Sequence, residues 1–348
     1  MQPPVSFTAN IAAFNKKLQG INPSSLEIAG YPKRYLQHLL ENSKYYVAIY
    51  TQVLSNALSR SAKGIEETIL VDYGSGNGLL GLFAKFCGFK KVVLCDMDRD
   101  FVFASKVLSH ELSIDIDQLI CGNAGMMRIL LEKKQVDVIV GTDVIEHIYN
   151  LDDFFKNIVA INSQMITVFT TASNPANFLK VKRLKKLQIK DEFEGSDPAD
   201  FALAGAEKQE AFLDKRKKII LEKFPGISPV HLVALGTNTR GLAEEDILIA
   251  AEIFLTKQQL PQPPSHLTNT CDPISGSWTE RILSFEEYEN LYRRFNFSLN
   301  FKNGFYNVYA AAPKGNINRL LNLGVQLLGK NVAPFITLTG FPSKVSSL

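Results

Sequence analysis

Two sets of residues in this 348-residue chain have the types and spacing that chemistry requires. The first is the run Asp72-Tyr73-Gly74-Ser75-Gly76-Asn77-Gly78, followed downstream by a second acid, Asp96. Glycines let the backbone turn tightly and bring its amides close to a ligand where a Cβ would collide. An acid at the tip of the next strand can accept hydrogen bonds from ribose hydroxyls, so the expected ligand is a nucleoside derivative. The second set is Asp143, Glu146 and His147, at spacings i, i+3 and i+4. On one helical turn all three would project to the same side. Two carboxylates beside an imidazole can orient an acceptor hydroxyl and take its proton. The same trio can hold a divalent metal, or its acids can cap a helix N-terminus and favour its dipole. All three readings stand open.

Each set needs elements to hold it. Ile69-Leu70-Val71 and Val92-Val93-Leu94-Cys95 read as buried strands that end at Asp72 and Asp96. Between them an apolar stretch runs to Cys87, and Gly88 stands where a helix C-cap belongs. Strand, glycine turn, helix, strand and acid make half of a nucleotide-binding α/β sheet. The string Gly76-Asn-Gly78-Leu-Leu-Gly81 fits the dinucleotide fingerprint, so NAD(P) and oxidoreduction are one option. The glycines begin earlier, however, at Gly74, directly behind a strand that ends in Asp72.

That fuller string, from Val71 to Gly78, resembles the first motif of the class I (Rossmann-like) S-adenosylmethionine (SAM)-dependent methyltransferases, and the resemblance recurs in order further along. It implies SAM as the cofactor. Asp72 would fix the loop and face the methionine amino group, with Gly74, Gly76 and Gly78 against the methionine portion. Asp96 would take the ribose, and Met97 would pack on the adenine. Asn123 and Ala124 would border the adenine, where the family frequently has Asp. Gly141 leads from strand four into the Asp143-x-x-Glu146-His147 segment, which resembles the family's D-x-x-E-H helix start. The resemblance therefore implies methyl transfer to an oxygen or nitrogen of a small-molecule, glycan or lipid-linked acceptor. His147 is the candidate base, with Asp143 and Glu146 beside it, and no metal is assigned. A SAM-binding interaction protein without catalysis is the remaining alternative.

The fold class expected is α/β. It is a doubly wound, mostly parallel seven-stranded sheet with a terminal antiparallel hairpin, plus a mainly helical insertion after strand five. Residues 1–60 read as an N-terminal helical cap and 61–178 as the SAM-binding core. Residues 179–275 read as a helical insertion serving as acceptor lid. Residues 276–312 complete the core with a helix and hairpin, and 313–348 form an apolar C-terminal segment. Asn303-Gly304 signals a hairpin between strands at 297–301 and 305–309. Tyr45 and Tyr46 sit on the N-terminal helices as pocket or core residues, and Trp278 with Arg281 as acceptor-facing or core residues. The cationic clusters at 180–190 and 215–218 read as solvated helix faces. The leucine-rich stretch 317–328 could dock on the sheet, mediate a dimer or lie weakly against a membrane surface; its few flanking cations make docking the expectation.

Composition excludes more than it assigns. A hydrophobic fraction of 46% with 21% charged residues fits an ordinary globular chain. A net charge of +3 offers no electrostatic case for nucleic acid. No apolar run reaches the length of a membrane span, and residues 1–17 lack the pattern of a signal peptide. The 4 cysteines show no C-x-x-C spacing, so free thiols in a reducing cytoplasm are expected. Oligomeric state is not legible.

Overall fold

The computed structural model describes residues 7–131, 136–195 and 209–343. The chain divides into two compact units. One holds Met1–Ile145, Leu151–Ala172 and Phe285–Leu348; the other holds Glu146–Asn150 and Ser173–Ser284.

The first unit is built on a seven-stranded sheet in the order β3-β2-β1-β4-β5-β7-β6. Its parallel part comprises β1 (Ile69–Tyr73), β2 (Lys91–Asp96), β3 (Gln118–Cys121), β4 (Val138–Thr142) and β5 (Ile166–Thr171). These strands are rich in apolar residues because helices cover both faces of a parallel sheet. The covering helices include α3 (Ser43–Arg60), α4 (Leu79–Phe86), α5 (Arg99–Leu112), α6 (Ala124–Leu131) and α7 (Leu151–Ile161), with α1 (Thr8–Gln19) and α2 (Gly30–Glu41) ahead of them. Local sequence explains their starts. Asp98 caps α5 by accepting from the Asp100 amide at 2.7 Å, and left-handed Gly78 opens α4.

The sheet ends in antiparallel strands, as expected, but not through a hairpin at Asn303-Gly304. β6 (Phe297–Asn303) pairs antiparallel with β7 (Ile336–Pro342), and β7 pairs antiparallel with β5. α12 (Phe285–Arg294) precedes β6, and α13 (Lys314–Leu328) lies between β6 and β7. Residues 305–309, expected as a strand, lie in coil and turn. Gly304 explains the difference. Its amide donates to the Phe335 carbonyl at 2.8 Å, and a Cβ there would stand 2.4 Å from the Phe335 ring. The glycine permits a close approach rather than a left-handed turn.

The second unit is mainly helical: α8 (Phe178–Phe193), α9 (Phe212–Lys223), α10 (Pro229–Asn238) and α11 (Glu244–Lys257). Ile220, Leu235, Ile247, Ala251 and Phe254 form its apolar centre. The cationic run 215–218 is only partly the solvated face the sequence suggests. Lys218 is exposed, whereas Arg216 is fully buried, paired through both terminal guanidinium nitrogens with Glu192 and donating from Nε to the Gly236 carbonyl at 2.9 Å. Among the cysteines, Cys95 and Cys271 are buried and Cys121 is exposed, and all four are free thiols. Among the described residues no helix is long and apolar enough to cross a membrane.

Candidate functional site

The glycine loop follows β1 directly and is held from three sides. The amides of Gly74 and Ser75 donate to the Cys95 carbonyl at 2.8 and 3.1 Å, and Gly78 donates to the Ser75 carbonyl at 2.8 Å. Gly74, Gly76 and Gly78 all have positive φ (64°, 52° and 76°), which a side chain would strain. Their surroundings differ. A Cβ on Gly74 would strike Val144, and one on Gly78 would strike Leu94 and Ser105, so these two are fixed by the protein's own packing. Gly76 is more open: a Cβ there would meet first Tyr35 at 3.6 Å and Phe101 at 4.0 Å.

Two carboxylates bracket this loop. Asp96, at the tip of β2, accepts from the Gly76 amide at 2.8 Å and from the Asp98 amide at 3.0 Å. Burial raises its pKa, and those amide bonds oppose the rise. Asp72, at 1% exposure, accepts from the Gly81 amide at 2.9 Å. Burial pushes its carboxyl up to about 8, partly offset by the Gly81 bond and reinforced by Asp96. Two polar atoms within the loop, Ser75 Oγ and Asn77 Oδ1, are buried without a hydrogen-bond partner. Buried polar groups are nearly always satisfied, so an unsatisfied pair beside two carboxylates points to a polar ligand.

The N-terminal helices close over this edge. The Asn77 side-chain amide donates to the Pro32 carbonyl of α2 at 3.2 Å. Tyr31, Tyr35 and Phe101 form an aromatic group, with Tyr35 and Phe101 edge-to-face at 5.9 Å, beside Gly76. On the same helix turn, Arg34 Nε is also buried and unsatisfied. Arg34, Tyr35 and Phe101 were not singled out from the sequence, and Ser75 and Asn77 stood there only as members of the glycine run. Aromatic residues on amphipathic helices look like core, and only the asparagine and serine set between glycines carried a hint.

Met97 is 64% exposed next to Asp96. Asn123 is exposed, and its Oδ1 accepts from the Met126 amide at 3.1 Å, so it caps α6. Ala124 is buried, and its amide bonds the Tyr73 hydroxyl. Gly141 is needed for packing, since a Cβ would lie 2.7 Å from the Tyr73 carbonyl oxygen.

The segment after β4 is a turn rather than a helix start: residues 145–147 form the turn and α7 begins only at Leu151. Asp143, Glu146 and His147 are therefore not displayed on one helical face. Asp143 takes a left-handed conformation at φ 50°, its amide bonded to Thr170, and its charge raises the pKa of Tyr45 and Tyr46, chiefly raised by burial. Glu146 and His147 belong to the second unit. Glu146 is buried, and its carbonyl accepts from the Arg281 amide at 3.3 Å. His147 Nδ1 donates to the Trp278 carbonyl at 2.7 Å, which leaves Nε2 as the acceptor nitrogen of the neutral ring. Trp278 itself is buried at 5% exposure, with Arg281 over its ring at 4.3 Å. Among the described residues no group of three His, Cys, Asp or Glu side chains is placed to hold a metal ion.

A seven-stranded, mostly parallel sheet ends in antiparallel strands, with an acid, a glycine loop and a second acid at its carboxyl edge. This is the Rossmann-like fold that the resemblance at 71–78 implies. No family model matches the chain. It is 36% identical over 76 residues to the ribosomal protein L11 methyltransferases of Acinetobacter baumannii strains AYE and AB307-0294, covering 22% of this chain and 25% of each relative. The chain thus matches about a quarter of the length of those curated relatives. Among solved structures, a SAM-dependent methyltransferase from Aquifex aeolicus is 18% identical with a TM-score of 0.30, covering 35% of this chain and 62% of that one. TehB from Haemophilus influenzae is 18% identical with a TM-score of 0.30, covering 38% and 44%.

Proposed function

We propose that the chain is a SAM-dependent methyltransferase. The observation that carries this reading is the loop at 74–78, bracketed by Asp72 and Asp96 and holding two unsatisfied buried polar atoms. The donor set suits the cofactor. A buried carboxyl with one amide donor is the natural partner of the methionine ammonium, and the half-buried Asp96 can accept from ribose hydroxyls while keeping its loop bonds. Ser75 Oγ and Asn77 Oδ1 gain partners from the same polar end. When bound, SAM supplies an activated sulfonium methyl.

The protein's own task is alignment. It must place an oxygen or nitrogen in line with that methyl, exclude water and leave a path for the acceptor's proton. His147 is the proposed base for a hydroxyl acceptor, because the bond from Nδ1 to Trp278 fixes the ring with Nε2 ready to accept. Asp143 and Glu146 are proposed to orient the acceptor. An amine acceptor could lose its proton to water instead. The acceptor class proposed is a small molecule, a glycan or a lipid-linked group. Incubation with methyl-labelled SAM and extracts separated into aqueous and organic fractions tests this: label should enter a low-molecular-weight or lipid fraction. Label confined to protein or RNA would overturn the acceptor class, and no transfer despite SAM binding would favour a non-catalytic SAM-binding protein.

The dinucleotide reading is less well supported. The plain dinucleotide-binding sheet runs 3-2-1-4-5-6, whereas here an antiparallel β7 is inserted between β5 and β6.

A further inference from the structure

Helix α13 is packed inside out. At about 100° per residue, Gly315, Asn318, Asn322 and Val325 share one side, and three of these four are buried while Asn322 is half-buried. That inward side is a glycine, two asparagines and a single valine. Asn318 donates to the Asn307 carbonyl at 2.6 Å, and Asn322 both accepts from the Tyr306 amide at 2.7 Å and donates to its carbonyl at 3.0 Å. A Cβ on Gly315 would lie 2.2 Å from the Ala310 carbonyl oxygen, so the start of the helix sits close against the turn that precedes it. The opposite side carries Ile317, Leu320, Leu321, Leu323, Leu327 and Leu328, all exposed, with Leu320 at 68% and Leu327 at 84%. A helix whose hydrogen-bonded asparagines fix it to the protein leaves its leucines for something else. The docking on the sheet expected from sequence is met by β7 and not by this face.

Charge indicates what covers it. Lys314 and Arg319, both exposed, stand at the two borders of the leucine side. From Asn290 to Leu348 the sequence contains no Asp or Glu, against Arg293, Arg294, Lys302, Lys314, Arg319, Lys330 and Lys344. Self-association through this face would cover the leucines but offer Lys314 and Arg319 no acid from this segment. A surface both apolar and anionic satisfies leucines and cations together. We propose that α13 lies in the plane of an anionic lipid bilayer, leucines in the acyl boundary and Lys314 and Arg319 reaching the headgroups. Phospholipid is the occupant this chemistry fits.

Flotation of the purified full chain with vesicles tests the proposal. Neutral phosphatidylcholine vesicles are compared with vesicles in which about a third of the lipid is phosphatidylglycerol. The chain should float with the anionic vesicles, less with neutral ones, and less again at high salt. Leu320→Asp with Leu327→Asp should lower the bound fraction about tenfold or more. Lys314→Glu with Arg319→Glu should remove the preference for anionic lipid. Circular dichroism checks the fold, and if the double aspartate variant is unfolded, Leu327→Gln alone should still weaken binding. Absence of flotation on either vesicle would overturn the proposal, as would leucine variants that bind like the parent. A dimer in ultracentrifugation that the leucine variants dissociate, without flotation of the parent, would assign the face to a second copy instead.

Discussion

A carboxyl at 1% exposure with one amide donor holds its proton, and Asp72 does so up to about 8. The raised value means the free fold binds more protons than the unfolded chain above the ordinary carboxylate range. Its contribution to stability is full at low pH and is lost as pH climbs towards about 8. Asp72→Asn should therefore flatten the fall in stability over that window, as measured by denaturant titration at several pH values. If the methionine ammonium binds beside it, the carboxylate form wins. SAM binding at neutral pH should then release a proton, seen as a dependence of the calorimetric heat on buffer ionisation that Asp72→Asn abolishes. Equal heats in all buffers would detach Asp72 from the cofactor. His147 makes a kinetic prediction. His147→Ala should lower turnover of a hydroxyl acceptor by about a hundredfold while leaving SAM affinity nearly unchanged. An unchanged rate would restrict the imidazole to holding the Trp278 carbonyl.

Elements were most legible where one physical signal dominated. The strands around the glycine loop and the N-terminal helices α2 and α3 follow from apolar runs and spacing. The signals failed where tertiary contact decided. Asn303-Gly304 has the composition of a hairpin turn, yet the glycine serves the Phe335 ring, which is far away in sequence. Gly304→Ala should then cost about 1–3 kcal/mol in denaturant unfolding, the range of overpacking. A neutral substitution would show that Phe335 can give way. Asp143 to His147 failed differently, because helical spacing was read into a segment that turns before α7 begins. Arg216 looked like one more solvated cation; its burial against Glu192 depends on α8, which no local pattern reveals.

Across the molecule, the acid–glycine–acid frame was readable because its acids end apolar strand runs and its glycines follow directly, although the contacts that hold it cross from β1 to β2. The aromatic group of Tyr31, Tyr35 and Phe101 was not, because it joins α2 to α5 through the fold. The central claim is that this frame binds SAM. Isothermal titration of the whole chain with SAM, its demethylated product S-adenosylhomocysteine and NAD tests it most directly. SAM and S-adenosylhomocysteine should bind and NAD should not. Asp96→Ala should weaken SAM by roughly tenfold or more, since hydrogen bonds to a charged group are worth about 1.5–3 kcal/mol. Tight binding of NAD with no binding of SAM or S-adenosylhomocysteine would contradict the account.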